Sequence, residues 1–289
     1  MLAINPITAR TQILCVIGHP LEHSMSPIMH NAAIKDLGLD YIYISFNILP
    51  KNLRDAVNGF KALNIKGINV TLPFKQSIIK YLDEIDSLAQ KIGAVNTIKN
   101  DDGFLKAKNT DGAGAKRALI DAGCDFSEKN VLIVGAGGAA RALSFTLAEE
   151  VKKIVIVNRT EKNALKIVSE LKKSYGLNFE GKNFSNKILE EEIKKADILI
   201  NTTPIGMYPK INESPIPSEI LHENLTVFDV IYNPLETKLI KNSKEKGCKT
   251  IGGLDMLINQ GALAFEWWTD IKPNKIIMKN KVIEYLGLK

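Results

Sequence analysis

VLIVGAGGAARAL, residues 131–143, decides the fold. Four aliphatic residues read as a buried strand, a glycine turn follows, and a helix rich in small residues begins. Gly135, Gly137 and Ala140 fit the G-x-G-x-x-G/A spacing. The first glycine permits a tight turn, the second lets backbone approach a pyrophosphate, and Ala140 lets helix and strand pack closely. Free N–H groups at the helix start then face the phosphates. The plainer reading is a tight turn in an ordinary α/β protein. The strand before, the helix after and the second strand KIVIVN (153–158) favour a dinucleotide site, with Gly135, Ala136, Gly137, Gly138 and Ala139 as its loop.

The end of that second strand selects the cofactor. A site for NAD usually places a carboxylate there; this chain has Asn158, Arg159 and Thr160. No acid repels a 2′-phosphate and Arg159 can pair with one, which points to NADP. The same three residues also suit a turn, with Thr160 capping the next helix.

Outward from this loop, short apolar runs alternate with helical patterns. Candidate strands are 12–18, 41–48, 67–72, 130–135, 153–158, 196–201 and 226–232. The alternation predicts an α/β protein with mostly parallel sheets. PIMHNAAIKDLGL opens with Pro27 at a first helical position. Residues from about 252 read as two helices, with Leu254, Leu257, Ile258, Gly261 and Phe265 at helical spacing. A domain boundary is expected near 110–128.

The 289 residues suffice for two domains, and composition is ordinary for a globular protein, 45% hydrophobic and 24% charged. Net charge is +6, but the lysines alternate with glutamates, as in NKILEEEIKK (186–195), which reads as a solvated helix face. No basic run interleaves with aromatics, so nucleic acid is not an expected partner; the charge favours anionic small molecules. Cys15, Cys124 and Cys248 are too few and too widely spaced for a disulfide framework or a metal site, and the four histidines show no ligand pairing. No stretch reaches membrane-spanning length. MLAINPITAR lacks the pattern of a signal peptide, making the cytoplasm the expected compartment.

A second stretch, NVTLPFK (69–75), ends an alternating apolar strand in Pro73 and then Lys75. Taken alone, Lys75 reads as a solvated loop charge. Beside it stand GHPLEHSMSP (18–27), GAVNT (93–97), NTDG (109–112), GAGGAAR (135–141), NRT (158–160), IYNP (231–234) and GGLDMLINQG (252–261). In this order, over nearly the whole chain, the set resembles shikimate dehydrogenase.

That resemblance implies reversible NADPH-dependent reduction of 3-dehydroshikimate to shikimate, in chorismate and aromatic amino acid biosynthesis; a quinate/shikimate dehydrogenase with relaxed cofactor use is the alternative. It implies two domains: an N-terminal α/β substrate domain completed by C-terminal helices (1–112 and 252–289), and an inserted Rossmann NADP-binding domain (113–251). Lys75 and Asp111 match the catalytic pair. Ser24, Ser26, Thr71, Asn96, Tyr232 and Gln260, with Lys75 and Asp111, match substrate positions. Cofactor positions match at 135–139, Asn158, Arg159, Thr160, Val230 and Gly253. Where the family often has a further arginine, this chain has Asn163, with Lys162 beside it as a substitute point charge that cannot fork. A monomer or homodimer is expected, with no metal.

Residue chemistry runs alongside. Ser24 and Ser26 offer hydroxyls near a helix N-terminus, which suits a carboxylate, although Ser26 also suits a plain cap. Thr71, Asn96 and Gln260 suit ring hydroxyls without burying charge; Asn96 equally suits a turn brace, and Tyr232 and Gln260 a core edge. The ammonium of Lys75 suits a developing alkoxide, either as proton donor or as electrostatic anchor, with Asp111 orienting it.

Overall fold

The computed structural model describes residues 6–176 and 178–287; the first five residues of MLAINPITAR and the extreme C-terminus lie outside them. The chain forms two compact units, one of residues 1–110 with 258–289, the other of residues 111–257. The transitions fall inside helices α5 (Thr110–Asp121) and α10 (Gly253–Thr269).

The second unit follows the parallel pattern. Its sheet contains β7 (Asn130–Val134), β8 (Lys153–Asn158), β9 (Phe179–Asn183), β10 (Ile198–Asn201), β11 (Thr226–Asp229) and β12 (Lys249–Ile251), in the order β12-β11-β10-β7-β8-β9. Every pairing is parallel, and the order reverses between β7 and β10, the doubly wound arrangement that opens a crevice at the strands' carboxyl ends. Residues 131–134 and 198–201 are wholly buried, which is why they read as near-continuous apolar runs, with Asn201 alone polar. Helices α6 (Gly138–Leu147), α7 (Glu161–Tyr175), α8 (Asn186–Ile193) and α9 (Lys238–Glu245) connect them. Between β10 and β11 the chain crosses over as a long loop with a single 3-10 turn at Ser218–Ile220. NKILEEEIKK is not simply a solvated face: Leu189, Glu192 and Ile193 are buried, and Lys182 and Lys195 neutralise Glu192 at 3.0 Å each.

The first unit departs from expectation. Its sheet runs β2-β1-β3-β5-β6-β4, with β1 (Gln12–Gly18), β2 (Tyr41–Asn47), β3 (Gly67–Val70), β4 (Glu84–Ile85), β5 (Thr97–Asp101) and β6 (Phe104–Lys108). β1 pairs in parallel with β2 and β3, but β5 is antiparallel to both β3 and β6. The sheet is therefore mixed. The reversal comes from Asp102-Gly103, both at positive φ (50° and 96°), the pair that a two-residue type I′ hairpin requires. β3 is also shorter than expected: 67–70 is buried on both faces, whereas Leu72 lies beyond it and is 72% exposed.

Helix α1 (Ser26–Asp36) buries Met29, His30, Ala33 and Ile34, and α2 (Leu53–Ala62) buries Leu53, Val57 and Phe60, both at helical spacing. Asp86 caps α4 (Ser87–Ile92) through Ala89 N at 2.6 Å. The C-terminal piece completes this unit. The Trp268 indole donates to the Ile98 carbonyl at 2.9 Å, and α11 (Lys275–Tyr285) packs on α1. At Gly67 any side chain would collide with the Trp268 ring, 2.5 Å from a Cβ. Among the described residues no helix is long and apolar enough to cross a membrane.

Candidate active site

In the first unit the candidate residues gather at the carboxyl ends of β1 and β3. Thr71 follows β3 directly; its N–H bonds the Ile17 carbonyl and its carbonyl accepts Phe74 N–H, both at 2.9 Å. Pro73 begins helix α3 (Phe74–Ser77), so Lys75 sits on a short helix and not on a loop, half-buried, its carbonyl bound by Val95 N–H at 2.8 Å. One side of that helix is anchored by Phe74, 1% exposed. The sequence therefore turns Lys75 away from the core.

Ser24 and Ser26 lie at the start of α1, both half-buried. The capping reading of Ser26 does not hold: the N-cap is Met25, no side chain caps the helix, and Ser26 is its first residue. Ser24 Oγ accepts the Ser26 N–H weakly, at 3.4 Å. The Ser26 hydroxyl is hydrogen-bonded to Tyr43, and both serines stand beside a helix N-terminus, where an anion is favoured.

Asn96 is the best-fixed group. It is 2% exposed. Its Oδ1 accepts Thr110 N–H at 2.7 Å, the Thr97 hydroxyl at 3.0 Å and the Thr110 hydroxyl at 3.2 Å. Its Nδ2 donates to Thr110 Oγ1 at 3.0 Å and reaches Gln260 Oε1 at 3.5 Å. The carboxamide cannot flip without stranding a backbone donor, so its NH₂ edge and Gln260 are held side by side. Sequence reasoning passed over Asn69, the one polar residue of the buried strand GINV. Asn69 accepts the Tyr43 hydroxyl at 2.6 Å and donates to the Asn96 carbonyl at 3.2 Å. A polar residue inside an otherwise apolar buried run was the available signal. Tyr43 in turn stacks on His30, ring centroids 4.3 Å apart, and burial pulls His30 down to about 3, leaving it neutral.

In the second unit, Asp111 lies in the first turn of α5 and is half-buried. The loop between β7 and α6 fits a dinucleotide. Gly135 has φ +109°, and a Cβ there would sit 2.4 Å from Thr202 Oγ1; Gly137 and Gly138 have open space where a Cβ would be. α6 has Gly137 as N-cap and no side chain on its first N–H groups, which leaves them for phosphate oxygens. At the end of β8, Asn158 Nδ2 donates to the Thr160 carbonyl at 2.9 Å, shaping the turn; Arg159 and Lys162 are exposed. Thr160 stands at the N-cap position of α7, but its side chain makes no cap hydrogen bond. Val230 and Gly253 meet at close quarters: Gly253 N–H bonds the Ile231 carbonyl at 3.2 Å, and a Cβ on Gly253 would lie 2.2 Å from the Val230 carbonyl oxygen. Tyr232 is half-buried and burial raises its pKa, so its hydroxyl stays protonated at neutral pH.

Comparison with known proteins places these features in one family. Sequence models described as shikimate dehydrogenase substrate binding domain, shikimate / quinate 5-dehydrogenase and shikimate 5'-dehydrogenase C-terminal domain match residues 16–98, 115–230 and 253–283. Shikimate dehydrogenase (NADP(+)) of Methanocaldococcus jannaschii is 51% identical over 96% of this chain and 98% of its own length. A crystal structure of shikimate dehydrogenase in complex with NADP+ superposes with TM-score 0.91 at 49% identity, covering 97% of each chain. Shikimate 5-dehydrogenase of Listeria monocytogenes, solved with shikimate and NAD, superposes with TM-score 0.90 at 40% identity, covering 98% and 99%.

Proposed function

Because the chain belongs to the shikimate dehydrogenase family, we propose that it catalyses the reversible NADPH-dependent reduction of 3-dehydroshikimate to shikimate. Near-full-length identity to a relative bearing that name and cofactor carries the reading. The local chemistry agrees with it. A glycine loop open at a helix start, followed by Asn158-Arg159-Thr160 without a carboxylate, suits NADP.

The roles of individual residues follow as part of the proposal. The unit built around 1–112 and 252–289 takes the substrate, and the unit within 113–251 takes the cofactor. Ser24 and Ser26 receive the substrate carboxylate, and Thr71, Asn96, Gln260 and Tyr232 the ring hydroxyls. Residues 135–139 hold the pyrophosphate, Arg159 with Lys162, Asn158 and Thr160 the 2′-phosphate end, and Val230 with Gly253 the nicotinamide end. Bound NADPH supplies the hydride. Lys75 then supplies the positive charge that the ketone oxygen needs as it becomes an alkoxide, and a proton to complete the hydroxyl. Asp111 orients Lys75. The cytoplasm is the proposed compartment, in keeping with three unpaired, buried cysteines, and the proposed assembly is a monomer or homodimer.

Asn163, standing where the family often has arginine, favours a second reading of the cofactor site in which NAD is also accepted. One experiment tests both. Absorbance at the reduced-nicotinamide band is followed with shikimate and NADP, then with NAD, then with quinate. Turnover of shikimate with NADP, and slower turnover in the other pairings, is expected. No turnover of shikimate with either cofactor refutes the reading.

A further inference from the structure

A buried carboxylate outside the roles above stands at the carboxyl end of β11. Asp229 and Asn201, its neighbour at the end of β10, are both 0% exposed, and Thr237 is 1% exposed. Burying an ionisable acid is costly unless hydrogen bonds or a counter-charge offset the lost hydration. Here every oxygen is engaged by a neutral donor. Asp229 Oδ1 accepts Asn201 Nδ2 at 3.0 Å and Ile231 N–H at 3.2 Å, and Oδ2 accepts the Thr237 hydroxyl at 2.7 Å. Asn201 Oδ1 in turn accepts the Thr203 N–H at 3.0 Å and hydroxyl at 2.8 Å. Thr237 Oγ1 accepts Ile240 N–H at 3.2 Å, capping α9.

The geometry joins three segments: the turn after β10 (201–203), the turn after β11 (229–232) and the start of α9. The middle one carries Val230 and Tyr232. Its backbone is tied at Val230 N–H to the Asn201 carbonyl at 3.1 Å, at Ile231 N–H to Asp229, and at the Ile231 carbonyl to Gly253. Thus the backbone on both sides of the tyrosine's turn is tied down by a buried polar cluster that also caps α9.

Resting on the functional reading above, we propose that Asp229, with Asn201 and Thr237, is a positioning cluster that sets the Tyr232 hydroxyl for the substrate. Asp229 touches neither the substrate nor the reacting atoms; it acts through the 230–232 turn. Residues of this type need no sequence adjacency to the phosphate loop, and they account for a carboxylate that neither the cofactor nor the hydride transfer requires.

The test is a double-mutant cycle in the full-length protein. Thr237→Val removes the donor to Oδ2 while keeping the volume; Thr237→Ser retains it. The shikimate KM is expected to rise about five- to tenfold in Thr237→Val, with the NADP KM within about twofold, and Thr237→Ser is expected to behave like the parent. In a Tyr232→Phe background, Thr237→Val should add no further rise, because the hydroxyl it positions is gone. A residue that only stabilised the unit would raise KM equally in both backgrounds, or leave it unchanged; either result overturns the proposal. If Thr237→Val does not fold, Asp229→Asn, nearly isosteric, is run through the same cycle with the same criteria. A parent protein inactive on shikimate removes the functional reading itself, and shows in the first assay, before any variant is compared.

Discussion

The titration of Asp229 gives a prediction whose size and sign come directly from the structure. Burial raises its pKa from the ordinary 3.8 to about 6, against the opposing pull of hydrogen bonds from Thr237, Ile231 and Asn201. The folded state thus binds this proton more tightly than the unfolded chain does. The group's contribution is most favourable below pH 3.8 and is lost as pH rises through 6. A shift of about two units is worth about 3 kcal/mol between the two limits, and about 2 kcal/mol of it falls between pH 4.5 and 7. Asp229→Asn removes the titration while nearly keeping the shape. Stability of parent and variant would be measured by urea unfolding at steps from pH 4.5 to 7. Other groups titrate in both proteins and cancel in the difference. We expect the variant's stability relative to the parent to climb by about 2 kcal/mol across that interval, whatever its constant offset. A difference flat to within about 0.5 kcal/mol, or one that falls with pH, would refute the argument that burial makes the folded state hold this proton more tightly than the unfolded chain does.

Three further outcomes follow from the site. Lys75→Met keeps the length and apolar stem of the side chain, so the fold and NADPH binding should survive while kcat falls about 10³-fold or more and KM changes little; turnover within tenfold of the parent would sink the catalytic role. Arg159→Ala should weaken NADP by roughly ten- to a hundredfold and NAD hardly at all, measured by cofactor titration; equal weakening would make Arg159 structural. Asn96→Ala strands the buried Thr110 N–H and should lower stability by about 1–3 kcal/mol in thermal or urea unfolding. Asn96→Asp keeps that acceptor and should lose shikimate affinity with a smaller loss of stability, and the reverse order of stabilities would remove the fixed-carboxamide account.

The Rossmann unit was legible because strands covered on both faces carry near-continuous apolar runs: VLIV, and ILI before Asn201, declare themselves. The first unit was only half legible. Its β5 and β6, TIKND and FLKAK, are short and rich in lysine, asparagine and aspartate, so no apolar run marks them. The Asp102-Gly103 pair between them was the signal that a hairpin, and hence a mixed sheet, stood there. Edge strands β9 and β12 went unread for the same reason: only one residue of each is buried. In the site, Lys75, Asn96 and the glycine loop fall within motifs whose chemistry is local. Asn201 and Asp229 lie outside those motifs, and Asn69, though it opens NVTLPFK, has a role that is not local. Their partners Tyr43, Asn96 and Thr237 come from other segments, and the Asn201–Asp229 bond joins separate strands, so their meaning exists only after folding.

The completion of the first unit by α10 and α11 has a consequence for how the protein is made. A ribosome delivers β1 to β6 first, then all of residues 111–257, and only then Trp268. At about 5–20 residues per second the intervening stretch takes roughly 7–30 s to synthesise. Throughout that interval the backbone at Gly67 lacks the indole that covers it and the Ile98 carbonyl lacks its donor. The Rossmann unit, contiguous in the chain, has every strand it needs as soon as Ile251 has cleared the exit tunnel. The half of the enzyme that is translated first is therefore the half that matures last.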